Sequence, residues 1–177
     1  MDNYTSQLFS DTNAHLCRIM ARIGGLQYAL QGLLNLISTE RPVVRVNVTY
    51  CTNNSSAFIS LGDTKHGRPL STKFSIPGKQ TPILLPERIN EDMIVGDLAP
   101  YKLPNMQKDP VFADLPFMSH SSLLRLSLLH SGSYVLLFNF WSDDPGAFHE
   151  NDIDDFRLLA LPVAEEFRAE LPDIYDD

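Results

Sequence analysis

Eight of the 12 prolines in this 177-residue chain lie between Pro69 and Pro116. Proline fixes φ and lacks the backbone N–H, so this density excludes long helices and central strands from that stretch. Regular structure must come from the blocks on either side, with residues 64–120 as an irregular insert. A long insert of this kind in a compact domain is usually a lid or a mobile loop. Within it, Met93-Ile94-Val95 before Gly96-Asp97 predicts a short strand. Pro110 to Phe117 predicts a helical turn.

In the first block, Leu8, Phe9, Leu16, Ile19, Met20 and Ile23 recur at steps that fit an amphipathic helix over residues 5–23. Gly24-Gly25 punctuates it. A second helical pattern follows in Leu26, Ala29, Leu30, Leu33, Leu34 and Ile37, ending before Pro42. The period then drops to two. Val44, Val46 and Val48 alternate with Arg45, Asn47 and Thr49, which predicts a strand with two different faces. Thr52 to Ser55 is turn chemistry, and Ala57, Ile59 and Leu61 alternate with Ser56, Phe58 and Ser60. Together they predict an antiparallel hairpin ending at Gly62-Asp63.

The second block repeats the theme. Leu124, Leu126 and Leu128 alternate with Arg125 and Ser127, Ser131-Gly132-Ser133 turns the chain, and Tyr134 to Trp141 is a strongly strand-forming run. A closing helix follows, with Ile153, Phe156, Leu159, Ala160, Val163 and Phe167 on its buried face. Asn151 or Asp152 is expected to cap it. Pro162 inside the pattern predicts a kink or a locally opened turn.

Composition removes several function classes. Lys and Arg total 14 against 22 Asp and Glu, a net charge of −8. That balance opposes nonspecific binding to nucleic acid or to an anionic membrane. No stretch approaches the ~20 apolar residues that span a bilayer. Met1-Asp2-Asn3-Tyr4 does not start a signal peptide, so a cytoplasmic chain is expected. The two cysteines, Cys17 and Cys51, fall in a helix and a strand and read as buried apolar residues. The five histidines are scattered, without zinc-ligand spacing, so no metal is expected. No Gly-x-Ser-x-Gly context occurs, and the paired carboxylates are adjacent residues whose side chains diverge. The expectation is a protein that is not an enzyme.

The order of elements and three C-terminal stretches, Ser121 to Leu126, Ser131 to Leu137 and Phe148 to Ala160, resemble the end of a GAF domain. Ala29 to Ile37 leading into Val44 to Tyr50 resembles its front half. The resemblance covers about residues 10–170 and rests on patterns rather than invariant residues. Leu16 to Asn47 is most similar to the sensory GAF domains at the front of bacterial sigma-54-dependent transcription activators. Those proteins continue into an ATPase and a DNA-binding domain, and no GxxxxGK[ST] occurs here. The resemblance implies a single α/β (α+β) domain over residues 1–170, with an acidic tail or linker start at 171–177. It implies a mostly antiparallel sheet of five or six strands, with the N- and C-terminal helices packed on one face and a pocket on the other.

Alternation then assigns the faces. Val44, Val46 and Val48 should meet the helices, and Arg45, Asn47, Thr49, Phe58, Ser60, Arg125, Ser127 and Asn139 should face the pocket. Asp97 from the insert completes the candidate binding set. Two arginines at strand centres suit a small anionic or hydrogen-bonding ligand. The other reading pairs them with acidic residues of the insert, Asp92 or Asp97, or sends them to solvent. His66 and His120 fit either the pocket rim or, as is commoner for a lone histidine, a satisfied or solvent-facing place. Cys17 and Cys51 lack the context of a bilin attachment site, so no covalent chromophore is expected, and the ligand stays unspecified. The cyclic-nucleotide pattern and the cysteine set of the methionine sulfoxide reductases of this family are absent.

What the resemblance implies for function is a sensor that passes a ligand signal to a transcription-regulating output. The alternative is a ligand-free module for dimerisation or protein interaction. The surplus of apolar residues on the first helix, Leu8, Phe9, Leu16, Ile19 and Met20, suggests a homodimer through the terminal helices.

Overall fold

The computed structural model describes residues 7–52, 57–67, 74–75, 91–102, 115–128 and 134–168. The hairpin turn at 53–56, most of the insert and the expected tail lie outside the described residues.

Helix α1, Asp11–Ile37, opens on a Ser10 cap whose side chain accepts from Asn13 N at 3.2 Å. It is broken once, at Gly25, where φ is 79° and ψ −177°. Only glycine adopts that conformation without strain, so the break expected at Gly24-Gly25 falls on the second of the two. Beyond it, Leu26, Ala29, Leu30, Leu33 and Ile37 are buried as their spacing predicts. Before it, the buried positions are Ala14 and Cys17, while Leu16 and Ile23 are 42% and 80% exposed. The expected apolar face of this segment is therefore turned partly outward. On this segment Arg18 and Arg22 face the closing helix, where they reach Glu165 and Glu166 at 2.8 and 2.6 Å as surface pairs.

Strands β1, Arg45–Thr52, and β2, Ala57–Asp63, pair antiparallel, with β3, Phe74–Ser75, at one edge. Strand β4, Met93–Val95, is the short strand expected in the insert. A 3-10 turn, Ala99–Tyr101, and a single helical turn α2, Pro116–Ser119, follow it. Strands β5, Ser122–Leu128, and β6, Tyr134–Ser142, form the second hairpin, and helix α3, Glu150–Phe167, closes the chain. The described strands make one six-stranded sheet in the order β3-β2-β1-β6-β5-β4, with every adjacent pair antiparallel.

One apolar core lies between the sheet and the two long helices. Val46 and Val48, with Leu124, Leu126 and Leu128, supply the sheet side, together with Phe138 and Phe140. Phe156 of α3 sits among Phe9, Phe140 and Phe148, with ring centroids 4.9–6.1 Å apart. Such pairs add to the apolar burial. Val44, expected in this core, is instead 46% exposed. The ladder begins one residue later, and Val43 is the valine buried at this end.

Helix α3 also departs from its expected start. His149 is the N-cap residue, and Asp152, three residues on, accepts from His149 N at 2.9 Å. Asp152 is buried and also takes Arg41 Nε at 2.9 Å, so it serves the first turn from inside the helix rather than as its cap. The helix runs on through Pro162, which is buried. No helix among the described residues is long and apolar enough to cross a membrane.

Candidate functional site

The sheet face turned away from the helices is buried, and its polar side chains stand among apolar ones such as Leu123, Leu137 and Trp141. Cross-strand partners in an antiparallel sheet share a face. Asn47 pairs with Asn139 and Thr49 with Leu137, while Arg45 pairs with Trp141. Arg125 lies opposite Asn139, and Ser127 opposite Leu137. Ser60 pairs with Thr49, and Phe58 with Cys51. The register therefore brings Arg45, Asn47, Thr49, Phe58, Ser60, Arg125, Ser127 and Asn139 onto one face. The side chain of Phe58 lies outside the described residues. Asp97 is not part of this group. It is exposed at the turn after β4, where its carboxylate accepts from Ala99 N at 2.9 Å. A groove of about 460 Å³ runs along β4 and includes Asp97 and Tyr101.

The central feature was missed in the sequence. The β1–β2 register shifts between Val48 and Thr49, so Val48 lies opposite Gly62 while Thr49 lies opposite Ser60. Leu61 is the extra residue of this bulge. Strict alternation from Ser60 would send Asp63 to the helix side. The bulge returns it to the polar face, opposite Asn47. There Arg45 Nε donates to Asp63 Oδ1 at 2.9 Å and Nη2 donates to Oδ2 at 2.5 Å. Both side chains are at most 1% exposed. Neither Asp92 nor Asp97 is the partner of Arg45. The signal was Gly62, because a glycine within a strand marks a bulge or a close approach. Both hold: a Cβ at Gly62 would stand 2.7 Å from Leu30 Cδ1.

The rest of the face is held by side-chain hydrogen bonds. Trp141 Nε1 donates to Asn47 Oδ1 at 2.6 Å. Arg125 Nε donates to Asn139 Oδ1 at 3.0 Å, and Asn139 Nδ2 donates to Thr49 Oγ1 at 3.4 Å. Burial pulls the Arg125 guanidinium down to about 10, with a small opposing effect from Cys51, so it stays charged at neutral pH. Asp92 joins this face to the helices. It accepts from Ser127 N at 3.0 Å and pairs with Arg157 of α3.

At the β1 end of the face stands His120, which is buried. His66 is exposed. The His120 ring lies 6.1 Å from the Trp141 ring, and its Nδ1 is 2.8 Å from Asp143 Oδ1. Burial pushes its pKa below the ordinary 6.5, outweighing the upward pull of Asp143. Among the described residues, two buried side-chain nitrogens have no hydrogen-bond partner: Arg45 Nη1 and His120 Nε2.

The cysteines lie apart. Cys17 belongs to the core under the helices, and Cys51 to a cluster with Val135 and Leu137 on the opposite sheet face. Burial raises both thiols, Cys17 to about 11, so neither is a ready thiolate at neutral pH.

No protein-family model matches this sequence, and no curated protein matches it. Solved structures do. The GAF domain of a phosphoenolpyruvate-protein phosphotransferase from Coxiella burnetii superposes with a TM-score of 0.63 at 14% identity, covering 93% of this chain and 98% of that one. The chain has the GAF fold. The GAF domain of a two-component sensor histidine kinase from Bacillus halodurans matches with a TM-score of 0.53 at 12% identity, over 82% of this chain and 94% of that one. The free methionine-R-sulfoxide reductase of Neisseria meningitidis, solved with its substrate, matches with a TM-score of 0.55 at 14% identity, over 91% and 89%. The fold therefore serves both sensors and an enzyme, and this chain's own residues must decide between them.

Proposed function

We propose that this chain is a cytoplasmic sensory module that holds a small polar ligand on the sheet face away from its helices. The observation that carries this reading is the buried polar face itself. Arg45, Asn47, Arg125 and Asn139 are each at most 3% exposed. Desolvating two guanidiniums is costly, and a face that served stability alone would be better filled with apolar side chains. The candidate ligand-contacting residues are Arg45, Asn47, Thr49, Phe58, Ser60, Arg125, Ser127 and Asn139, with Asp97 on the neighbouring groove.

Catalysis by cysteine is not supported, because the two thiols lie on opposite sides of the sheet and burial holds both protonated. The route from ligand to output runs through Asp92, which ties the β5 backbone at Ser127 to Arg157 on α3. A ligand that favours one placement of this contact shifts the population of α3 positions. Transcription activation as the output rests on the resemblance of Leu16 to Asn47 alone. Native mass spectrometry of the protein purified from cells tests the reading. A bound mass that is lost on denaturation, and lost in a folded Arg125→Gln variant, supports it. An empty wild-type chain that takes up no metabolite from a cell extract refutes it.

A second reading has its own observation. Leu16, Ile23 and Tyr28 of α1 are 42%, 80% and 58% exposed. A second copy packing on this helix would cover them, giving a dimerisation module that needs no ligand. Sedimentation across a range of concentrations tests it, with Leu16→Glu and Ile23→Glu as the disrupting variants. A wild-type chain that stays monomeric at all concentrations removes this reading.

A further inference from the structure

The sheet-face reading leaves open which chemistry the ligand presents, and two unpartnered nitrogens narrow it. Arg45 is not a free cation. Its Nε and Nη2 donate to Asp63, so the pair carries no net charge, and Nη1 is the nitrogen left without a partner. His120 is defined by its other nitrogen. An ionised Asp143 can only accept, so His120 Nδ1 carries the proton and Nε2 presents a lone pair. One orphan is therefore a donor and the other an acceptor. Both adjoin Trp141: Arg45 is its cross-strand partner, and the His120 ring lies 6.1 Å from the indole. Both nitrogens are buried, while Asp143, which bonds the His120 ring, and Lys65 are exposed.

We propose that Arg45 Nη1 and His120 Nε2 form a subsite for a neutral group that offers both an acceptor and a donor, a primary carboxamide or a hydroxyl. This rests on the reading of the sheet face as a ligand site and specifies one end of it. A carboxylate satisfies Arg45 but places a second lone pair against His120 Nε2. A carboxamide of the same shape satisfies both. Leaving one buried polar group unmatched costs about tenfold or more in affinity, so the subsite prefers the amide to the acid by at least that factor at neutral pH.

Protonation reverses the preference. The charged groups acting on His120 are Asp143 at the end of β6, Arg45 on β1 and Lys65 in the turn after β2. Burial keeps the ring neutral until the pH falls below its ordinary range. Once protonated, His120 becomes a donor at both nitrogens, and the subsite then suits an anion.

The test uses the full chain labelled with ¹⁵N, read by histidine-ring and arginine side-chain correlation spectra. Acetamide and ethylene glycol are the neutral probes, and sodium acetate is the isosteric anion. The expected result is a His120 ring protonated at Nδ1, and a saturable acetamide or glycol response shared by His120 and Arg45. Acetate binds at least about tenfold more weakly at pH 7, and the gap closes as His120 protonates. Asp143→Ala, at an exposed position, frees the ring to move its proton to Nε2 and abolishes the preference without unfolding the chain. A ring protonated at Nε2 in the wild-type protein overturns the inference. So does acetate binding as tightly as acetamide at pH 7. A response to the probes at Arg125 and Asn139 alone also overturns it while leaving the sheet-face reading intact. Silence of the whole face toward probes and cell extract overturns both.

Discussion

Replacing Asp63 by Asn removes one charge and almost no volume, and it strikes the most buried ion pair among the described residues. Asp63 is 0% exposed and Arg45 is 1% exposed. The carboxylate takes Arg45 Nε at 2.9 Å and Nη2 at 2.5 Å, and also accepts from Lys65 N at 2.9 Å. An Asn side chain has one acceptor where the carboxylate had two, and its amide would meet donors. Arg45 is left as an uncompensated buried cation, since it cannot shed its proton near neutral pH. Breaking one partner of such a pair costs about 3–5 kcal/mol, set against a typical total of roughly 5–15 kcal/mol. For a chain of this size that is a melting-temperature drop of about 6–20 °C. Urea unfolding followed by circular dichroism reads the loss as a lower midpoint at unchanged slope. A control separates charge from packing. In Arg45→Met/Asp63→Leu both charges leave together, and most of the stability should return, because apolar replacement of a buried pair is often neutral or better. A loss below about 1 kcal/mol in Asp63→Asn, the range of an exposed pair, would refute the burial and with it the bulge that puts Asp63 on this face.

Other expectations follow from single contacts. Gly62→Val should destabilise by about 1–3 kcal/mol, because even a Cβ there stands 2.7 Å from Leu30 Cδ1 in a filled core, and a melting curve reads it. His120 has a folded pKa below its unfolded value of about 6.5, so the unfolded chain binds more protons and stability falls as pH drops through and below that value. His120→Phe should flatten the stability profile between about pH 5 and 6.5, where ordinary carboxylates are still ionised, and an unchanged slope would refute the assignment. Asp92→Ala should free the β4 edge from α3, raising hydrogen exchange at the Ser127 amide and at Met93 to Val95 while the β1–β6 ladder stays protected. Cys17 and Cys51 should both react slowly with thiol reagents in the native state and rapidly in urea, since burial raises each.

The parts of this fold that follow a simple period were legible in the sequence. The two hairpins and the helix pair flanking them arise from patterns of two and of three to four, and the structure has them with boundaries near those expected. Interactions between distant elements were not legible. The first half of α1 shows Ala14 and Cys17 to the core, and its Arg18 and Arg22 meet Glu165 and Glu166, a pairing over more than 140 positions. Leu16 and Ile23 read as core only if hydrophobicity alone chooses the face. The sequence leaves the partner of Arg45 open between a ligand, Asp92 or Asp97, and solvent, and alternation by itself sends Asp63 to the other face. One extra residue, Leu61, re-phases the strand, and alternation carries no warning of it beyond Gly62. His120 stood out only as a lone histidine beside a strand, a pattern as consistent with solvent as with burial.

The bulge gives the Arg45–Asp63 pair a second role that must be separated from ligand binding. If β2 slipped by one residue, Asp63 would enter the apolar layer under Leu30, a placement no charge tolerates. The pair can therefore be kept to define one register rather than to bind anything, as single buried polar groups define register elsewhere. Arg125 provides the contrast. Its Nε bonds Asn139 on the neighbouring strand at 3.0 Å in a ladder with no register shift, so no alternative pairing there needs to be excluded. Burial lowers its pKa to about 10, a cost in stability that register does not explain. The two arginines should thus respond differently. Arg45→Met/Asp63→Leu should retain stability but broaden amide signals along β2, as the strand samples a second register. Arg125→Met should leave register and stability intact and remove ligand. If Arg125→Met instead unfolds the chain, this arginine is part of the scaffold, and the argument for a ligand returns to Arg45 Nη1 and His120 Nε2 alone.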